Sequence, residues 1–286
     1  MPDIPHSPFS IIKGRYLAII WIFPFSYFLS FLGIFETLLQ KWPMYWLQIF
    51  YSYYFHILFI ITIFILAFYS KLDWKIFFKS RVTSKELIPG LKLTLFLFLF
   101  STTTAYIIFY PLSYIFPGFV EIWYIQAYET IFSDGQSYPI IANTLSFLSI
   151  VLIAPVFEEI AFRGILLHRW AQKWNVTKAI IFSSVLFGIV HPEPISAIVF
   201  GAGMCVLYLK THSLLVPILC HTLNNFFVWL VEVGYRVAHG PNYQYALEDF
   251  QNEWYLGVIC MMLTIVWICI YLRNPLDLKK YSLPAV

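Results

Sequence analysis

Residues 140–170 read IIANTLSFLSIVLIAPVFEEIAFRGILLHRW. The stretch opens with an uncharged apolar run long enough to cross a bilayer and ends in two adjacent carboxylates, Glu158 and Glu159, and an arginine, Arg163. Charges this close to a hydrocarbon-length segment are costly unless paired or used. Residues four apart share a helical face, so Glu159 and Arg163 are expected to pair. Glu158 lies roughly 100° around the helix and has no such partner.

The rest of the chain agrees with a membrane reading. Its 286 residues are 60% hydrophobic and only 12% charged, against roughly a quarter charged in soluble domains. The aromatic share of 21% suits membrane interfaces. The expected fold class is all-α, a polytopic integral membrane protein of about eight transmembrane helices. The net charge of +3 is no nucleic-acid signal, because the basic residues lie between apolar runs and not on one patch. Cys205, Cys220, Cys260 and Cys269 fall inside apolar runs without a CxxC pair and read as small buried hydrophobes.

The expected spans are 15–35, 46–70, 90–111, 140–161, 178–192, 194–210, 214–235 and 253–272. The first follows Lys13 and Arg15 but lacks a small-x-small cleavage site, so it reads as a retained helix and not a signal peptide. With the N-terminus in the cytoplasm, the inside segments hold 16 Lys and Arg and the outside ones hold only Lys41 and Arg236. That bias supports the count and puts both termini in the cytoplasm. The basic segment 71–89 is expected either as a headgroup-layer helix or as a plain charged loop. The outer loop 112–139 has no Lys or Arg. Three regions follow: 1–139, with three spans and the cytoplasmic basic segment 71–92; a core, 140–235; and 236–286, the last span and tail.

Polar positions inside later spans are few. Phe187 and His191 form F-x-x-x-H, and His221 and Asn225 form H-x-x-x-N. Each pair presents two side chains on one helical face. Taken singly, each has a plain structural reading: a satisfied membrane histidine, an asparagine bridging helices, a packed phenylalanine. An intramembrane carboxylate such as Glu158 is a functional hypothesis by default. His56, in the second span, has no evident partner.

E-E-x-x-x-R, F-x-x-x-H and H-x-x-x-N, in this order on membrane helices, resemble the CPBP (CAAX prenyl protease and bacteriocin-processing) family, which includes intramembrane glutamic endopeptidases. Phe200–Gly203 (F-G-x-G) and Tyr208–Leu214 (Y-x-x-T-x-S-L) are also similar to its bacterial members. The resemblance covers about 140–235. The departure is His212, where the family's turn carries glycine.

The resemblance implies that Glu158 and His191 activate a water, that His221 and Asn225 stabilise the oxyanion, and that Glu159, Arg163 and Phe187 support them. It implies no cofactor and no metal. The implied partners are the lipid bilayer and a peptide or protein substrate, and the implied location is a bacterial cytoplasmic membrane. Three alternatives stand beside it. A zinc metalloprotease using two histidines and a glutamate lacks the H-E-x-x-H pattern. A non-catalytic scaffold or bacteriocin-immunity protein needs no chemistry at these positions. A transporter lacks an internal repeat. One conflict of depth remains: 1.5 Å per residue puts Glu158 and His221 within about 10 Å of the cytoplasmic face, and His191 at about 20 Å. A lipid-buried site also needs a water-filled cavity, expected to open to the cytoplasm.

Overall fold

The computed structural model describes residues 7–12, 42–78, 82–126, 130–272 and Leu283. The expected first span, 15–35, lies outside these residues, as does nearly all of the tail after 272. Among the described residues the fold is helical throughout, with no strand. Five helices are long and apolar enough to cross a membrane, and Val176–Ile189 and Trp254–Ile270 are shorter apolar helices. The chain is therefore a multi-pass membrane protein.

The main helices are α1 (Met44–Ser70), α2 (Ser84–Ile115), α3 (Ile140–Lys173), α4 (Val176–Ile189), α5 (Pro194–Thr211), α6 (Leu215–His239) and α7 (Trp254–Leu272). Their starts follow local chemistry. At the head of α2, the backbone and hydroxyl of Thr83 both donate to Glu86, closing a capping box. Asn175 accepts from the Lys178 backbone at 2.8 Å to open α4. Glu193 accepts from the Ser196 backbone at 3.2 Å and Pro194 takes the first helical position of α5.

Two boundaries differ from expectation. α2 begins before Pro89 and runs past Pro111, because membrane helices tolerate proline where neighbours reabsorb the freed carbonyls. α3 continues to Lys173 and does not end near residue 161. Its buried Phe162, Ile165, Leu166 and Leu167 face α4, α5 and α6, so packing carries the helix through the charged stretch.

The basic segment is neither a surface helix nor a free loop. Trp74–Phe77 forms one 3-10 turn, and Phe77 is fully buried beside Gly164 and His168. The Phe77 carbonyl accepts from the Leu214 backbone at 2.7 Å, tying this segment to the α5–α6 turn.

α4 and α5 form a tight hairpin. A Cβ on Gly188 would stand 2.3 Å from Ile198 and 2.7 Å from the Pro194 carbonyl, so only glycine allows this approach. α1 joins α3 through Ser52 Oγ to Ser149 Oγ at 2.6 Å and through Tyr53 Oη donating to the Leu145 carbonyl at 3.0 Å. α2 joins α7 through Thr103 and Thr264 at 3.1 Å. Phe64 and Phe68 of α1 and Ile270 of α7 are exposed, as lipid-facing surfaces should be.

Candidate active site

α3 is not a uniform α-helix. A π-helical segment, Leu148–Ile153, precedes the α-helical turn Ala154–Glu159, and a second, Ile160–Leu166, follows it. Such widened turns redirect side chains and occur often at functional sites. Glu158 and Glu159 close the α-turn between them and have different surroundings.

Glu159 is fully buried. Its Oε1 accepts from Arg163 Nη1 at 2.9 Å, the expected i,i+4 pair. The same oxygen lies 2.9 Å from His221 Nδ1, a contact the spacing did not predict. An oxygen already accepting from a guanidinium is an acceptor for the imidazole too, so Nδ1 of His221 carries a hydrogen. The other ring nitrogen, Nε2, faces Glu158 Oε2 at 3.9 Å, longer than a hydrogen bond. His221 thus stands between a locked carboxylate and an open one: the Glu158 side chain is 20% exposed and that of Glu159 not at all.

Arg163 is held on three sides. Besides Glu159, its Nη2 donates to the Gly201 carbonyl at 3.2 Å, and its guanidinium lies 4.5 Å over the Phe187 ring. A Cβ on Gly201 would come within 3.4 Å of Nη2 and 3.1 Å of Ser184 Cα, so the glycine admits the arginine. This explains part of the F-G-x-G pattern.

Phe187 is the shared wall. It stacks on His191 at 4.3 Å, meets His221 edge-on at 5.8 Å and packs beside Phe200, whose ring is 4.8 Å from His221. His191 Nδ1 lies 2.6 Å from the Phe187 carbonyl. A carbonyl only accepts, so Nδ1 holds the hydrogen and, in the neutral ring, Nε2 is an acceptor.

The depth conflict disappears. Glu158 stands fifteen residues before Lys173, the end of α3, and His191 fifteen after Val176, the start of α4. Glu158 is then about 22 Å from that end of α3, and His191 lies just past the far end of α4, about 21 Å from its start, on the adjacent antiparallel helix. The longer α3 sets Glu158 deeper than the expected boundary at 161 implied.

Asn225 joins less directly. Its Nδ2 donates to the Ile150 carbonyl at 3.0 Å, inside the first π-helical segment, and its Oδ1 lies 3.4 Å from Asn224 Nδ2. One amide hydrogen remains for other use. A π-turn misplaces carbonyls relative to the ordinary ladder, and Asn225 bonds one of them.

His56 was noticed in the sequence but given no place. On α1 its Nδ1 hydrogen-bonds to the Ser52 carbonyl at 2.6 Å and lies 3.3 Å from Ser149 Oγ. Its one sequence signal was an ionisable group midway along an apolar span. Among the described residues, no three or more His, Cys, Asp or Glu side chains are grouped to hold a metal ion. A cavity of about 530 Å³ is lined by Asn224 and Glu193, with Phe98, Tyr106, Tyr124 and Glu232 among its walls; Glu158, His191, His221 and Asn225 do not line it.

Comparison with known proteins points the same way. Residues 140–227 match the model of the type II CAAX prenyl endopeptidase Rce1-like family. The Bacillus subtilis (strain 168) protein named "Putative membrane peptidase YdiL" is 34% identical over 85 residues. That alignment covers 29% of this chain and spans only about a third (35%) of the relative. No solved structure matches the chain. The matched stretch, residues 140–227, carries the two glutamates, the two site histidines and Asn225.

Proposed function

We propose that the chain is an intramembrane endopeptidase that hydrolyses a peptide bond of a membrane-associated or lipidated peptide, with Glu158 as the base. The observation that carries this reading is the pairing of one locked and one open carboxylate about His221: Glu159 bound at 2.9 Å, Glu158 at 3.9 Å and part-exposed.

In this reading a water hydrogen-bonds to Glu158 and to Nε2 of His191. Its oxygen adds to the scissile carbonyl carbon as its proton passes to Glu158. The C–N bond then breaks and Glu158 returns that proton to the leaving nitrogen. The remaining hydrogen of Asn225, and Nε2 of His221 when the ring is doubly protonated, face the developing oxyanion. Glu159, Arg163 and Phe187 hold the histidines. No cofactor is required.

The eight-span topology with both termini in the cytoplasm, the three-part division of the chain and a bacterial cytoplasmic membrane complete the proposal; the charge distribution supports the orientation. The test uses purified full-length protein in nanodiscs and an internally quenched farnesylated peptide, the substrate class in the matched family's name. Wild type should cleave it and Glu158→Gln should not. If both are inactive on this probe, the peptides retained by Glu158→Gln but not by wild type from a membrane extract identify the alternative substrate. Equal retention by both would overturn the endopeptidase reading in favour of a scaffold.

A further inference from the structure

The turn from α4 to α5 carries His191, and its residues are fixed one by one. His191 Nδ1 lies 2.6 Å from the Phe187 carbonyl. Glu193 accepts from the Ser196 backbone at 3.2 Å to start α5. Between them, the Pro192 carbonyl accepts from the indole Nε1 of Trp123 at 2.9 Å. Trp123 belongs to none of the helices that carry the site. It stands 69 residues before Pro192, in the segment that follows α2.

That segment is built to reach the turn. Pro117–Val120 is one α-helical turn, and Glu121–Ile125 is a π-helical one. Val120 is fully buried, and the Tyr124 ring stacks on Phe109 of α2 at 4.3 Å. These contacts fix one face of the segment to α2. Phe119, Ile122 and Trp123 are exposed, with the Phe119 and Trp123 rings stacked at 6.0 Å. An exposed tryptophan beside a membrane helix is commonly an interfacial anchor and no more. Trp123 differs because its N–H is spent on a backbone carbonyl of the turn that carries His191. The turn has little of its own to offer that carbonyl, since Pro192 and Pro194 have no N–H. In a membrane-embedded bundle a carbonyl left without a donor is expensive, so the indole is the group that sets this peptide's direction.

We propose that Trp123 is a positioning residue for His191. Its N–H fixes the Pro192 carbonyl, hence the peptide that joins Pro192 to His191, and so keeps the imidazole stacked on Phe187 with Nδ1 on the Phe187 carbonyl. Trp123 acts through this backbone link and not on the reacting atoms. What the imidazole then does to a water rests on the endopeptidase reading; the hold of Trp123 on the His191 ring does not.

The primary test is spectroscopic and needs no substrate. Full-length protein with ¹⁵N-labelled histidines is placed in nanodiscs, and the His191 nitrogens are assigned by their loss in His191→Gln. In wild type one nitrogen should be protonated and the other bare, because Nδ1 faces a carbonyl. In Trp123→Phe, which keeps a ring and lacks the donor, the two resonances should draw together as the tautomers mix. Trp254→Phe, at the exposed start of α7, is the control and should leave them unchanged. Unchanged His191 resonances in Trp123→Phe, or an equal change in Trp254→Phe, overturn the proposal. The second readout is kinetic. With the farnesylated probe, Trp123→Phe should lower kcat by about 10-fold with KM unchanged, the scale of one polar group left unpaired. Trp123→Gln, whose amide nitrogen is as many bonds from Cα as the indole nitrogen, should recover most of the loss. Wild-type kcat in Trp123→Phe, with the loss appearing only in Trp123→Gln and Trp123→Ala, would show that the ring and not the donor matters and would overturn the role. Failure of wild type to cleave strikes the endopeptidase reading and leaves the spectroscopic result to decide Trp123.

Discussion

The Glu159 oxygen that accepts from Arg163 at 2.9 Å is the same oxygen that lies 2.9 Å from His221 Nδ1. One buried carboxylate therefore neutralises a cation and sets a tautomer. Glu159→Gln should weaken both functions. It leaves the buried Arg163 charge uncompensated, at a cost of about 3–5 kcal/mol, and it holds His221 only through a neutral amide oxygen, a weaker acceptor than the carboxylate. Thermal melting in detergent should fall sharply, and residual activity at low temperature should fall with it. A variant with wild-type melting would show that the buried pair is not needed for the fold.

Glu158→Gln should behave differently. The group is part-exposed and stands 3.9 Å from His221 Nε2, beyond hydrogen-bond distance, so an amide fits without stranding a partner. Activity should drop by roughly 10²- to 10⁴-fold, the usual worth of a positioned base, while melting stays within about 1 °C to 2 °C for a chain of this size. Equal activity losses in Glu158→Gln and Glu159→Gln at equal stability would reject the division between the two carboxylates.

Asn225 is expected to answer in two measurements. Asn225→Ala strands the Ile150 carbonyl, for about 1–3 kcal/mol, and should lower kcat about 100-fold with little change in KM if the second amide hydrogen serves the oxyanion. Asn225→Asp should be at least as harmful, because an ionised carboxylate would oppose both the Ile150 carbonyl and the oxyanion. Near-wild-type turnover in Asn225→Asp would remove Asn225 from the oxyanion site unless that carboxyl were shown to be protonated.

His212 closes α5 at φ +53°, in the left-handed region. A side chain there costs roughly 1 kcal/mol relative to glycine, and His212 is exposed with no role in the site. His212→Gly should therefore raise the melting temperature slightly and leave kcat and KM unchanged. A destabilised variant would mean that the histidine side chain itself holds the turn.

Proteolysis should survive strong chelators, and purified protein should bind well under one metal per chain by elemental analysis. The reason is the absent H-E-x-x-H pattern, together with the lack, among the described residues, of three His, Cys, Asp or Glu side chains grouped to hold a metal ion. Stoichiometric zinc, with chelator-lost activity restored by zinc, would favour the metalloprotease alternative.

The site's membership was legible because each motif repeats at helical spacing. Glu159 with Arg163, and Phe187 with His191, are one turn apart whatever the tertiary fold, and the structure contains both contacts. The link from Glu159 to His221 crosses 62 residues, and no local period encodes it. The π-helical segments were also hidden, since Leu148–Ile153 has the same apolar composition as an ordinary span. The depth of Glu158 was misjudged because charges at 158–163 looked like a helix end, whereas Glu159, Gly201 and Phe187 together make Arg163 tolerable inside. The turn after Thr211 reads as a departure in sequence, and its φ shows why the family's glycine suits it. His56 stood out by polarity alone, and its neighbours come from a helix ninety residues away.

α4 has 14 residues and so measures about 21 Å, while the hydrocarbon layer is about 30 Å thick. The hairpin it makes with α5 turns back at Pro192 and Pro194 well short of the far surface. Acyl chains beside that hairpin must compress or tilt to meet it, at a fraction of a kcal/mol for each ångström of mismatch. The roughly 9 Å shortfall makes the host membrane's thickness a parameter of the site: a thinner leaflet lets headgroups and water settle over His191, and a thicker one presses hydrocarbon onto it.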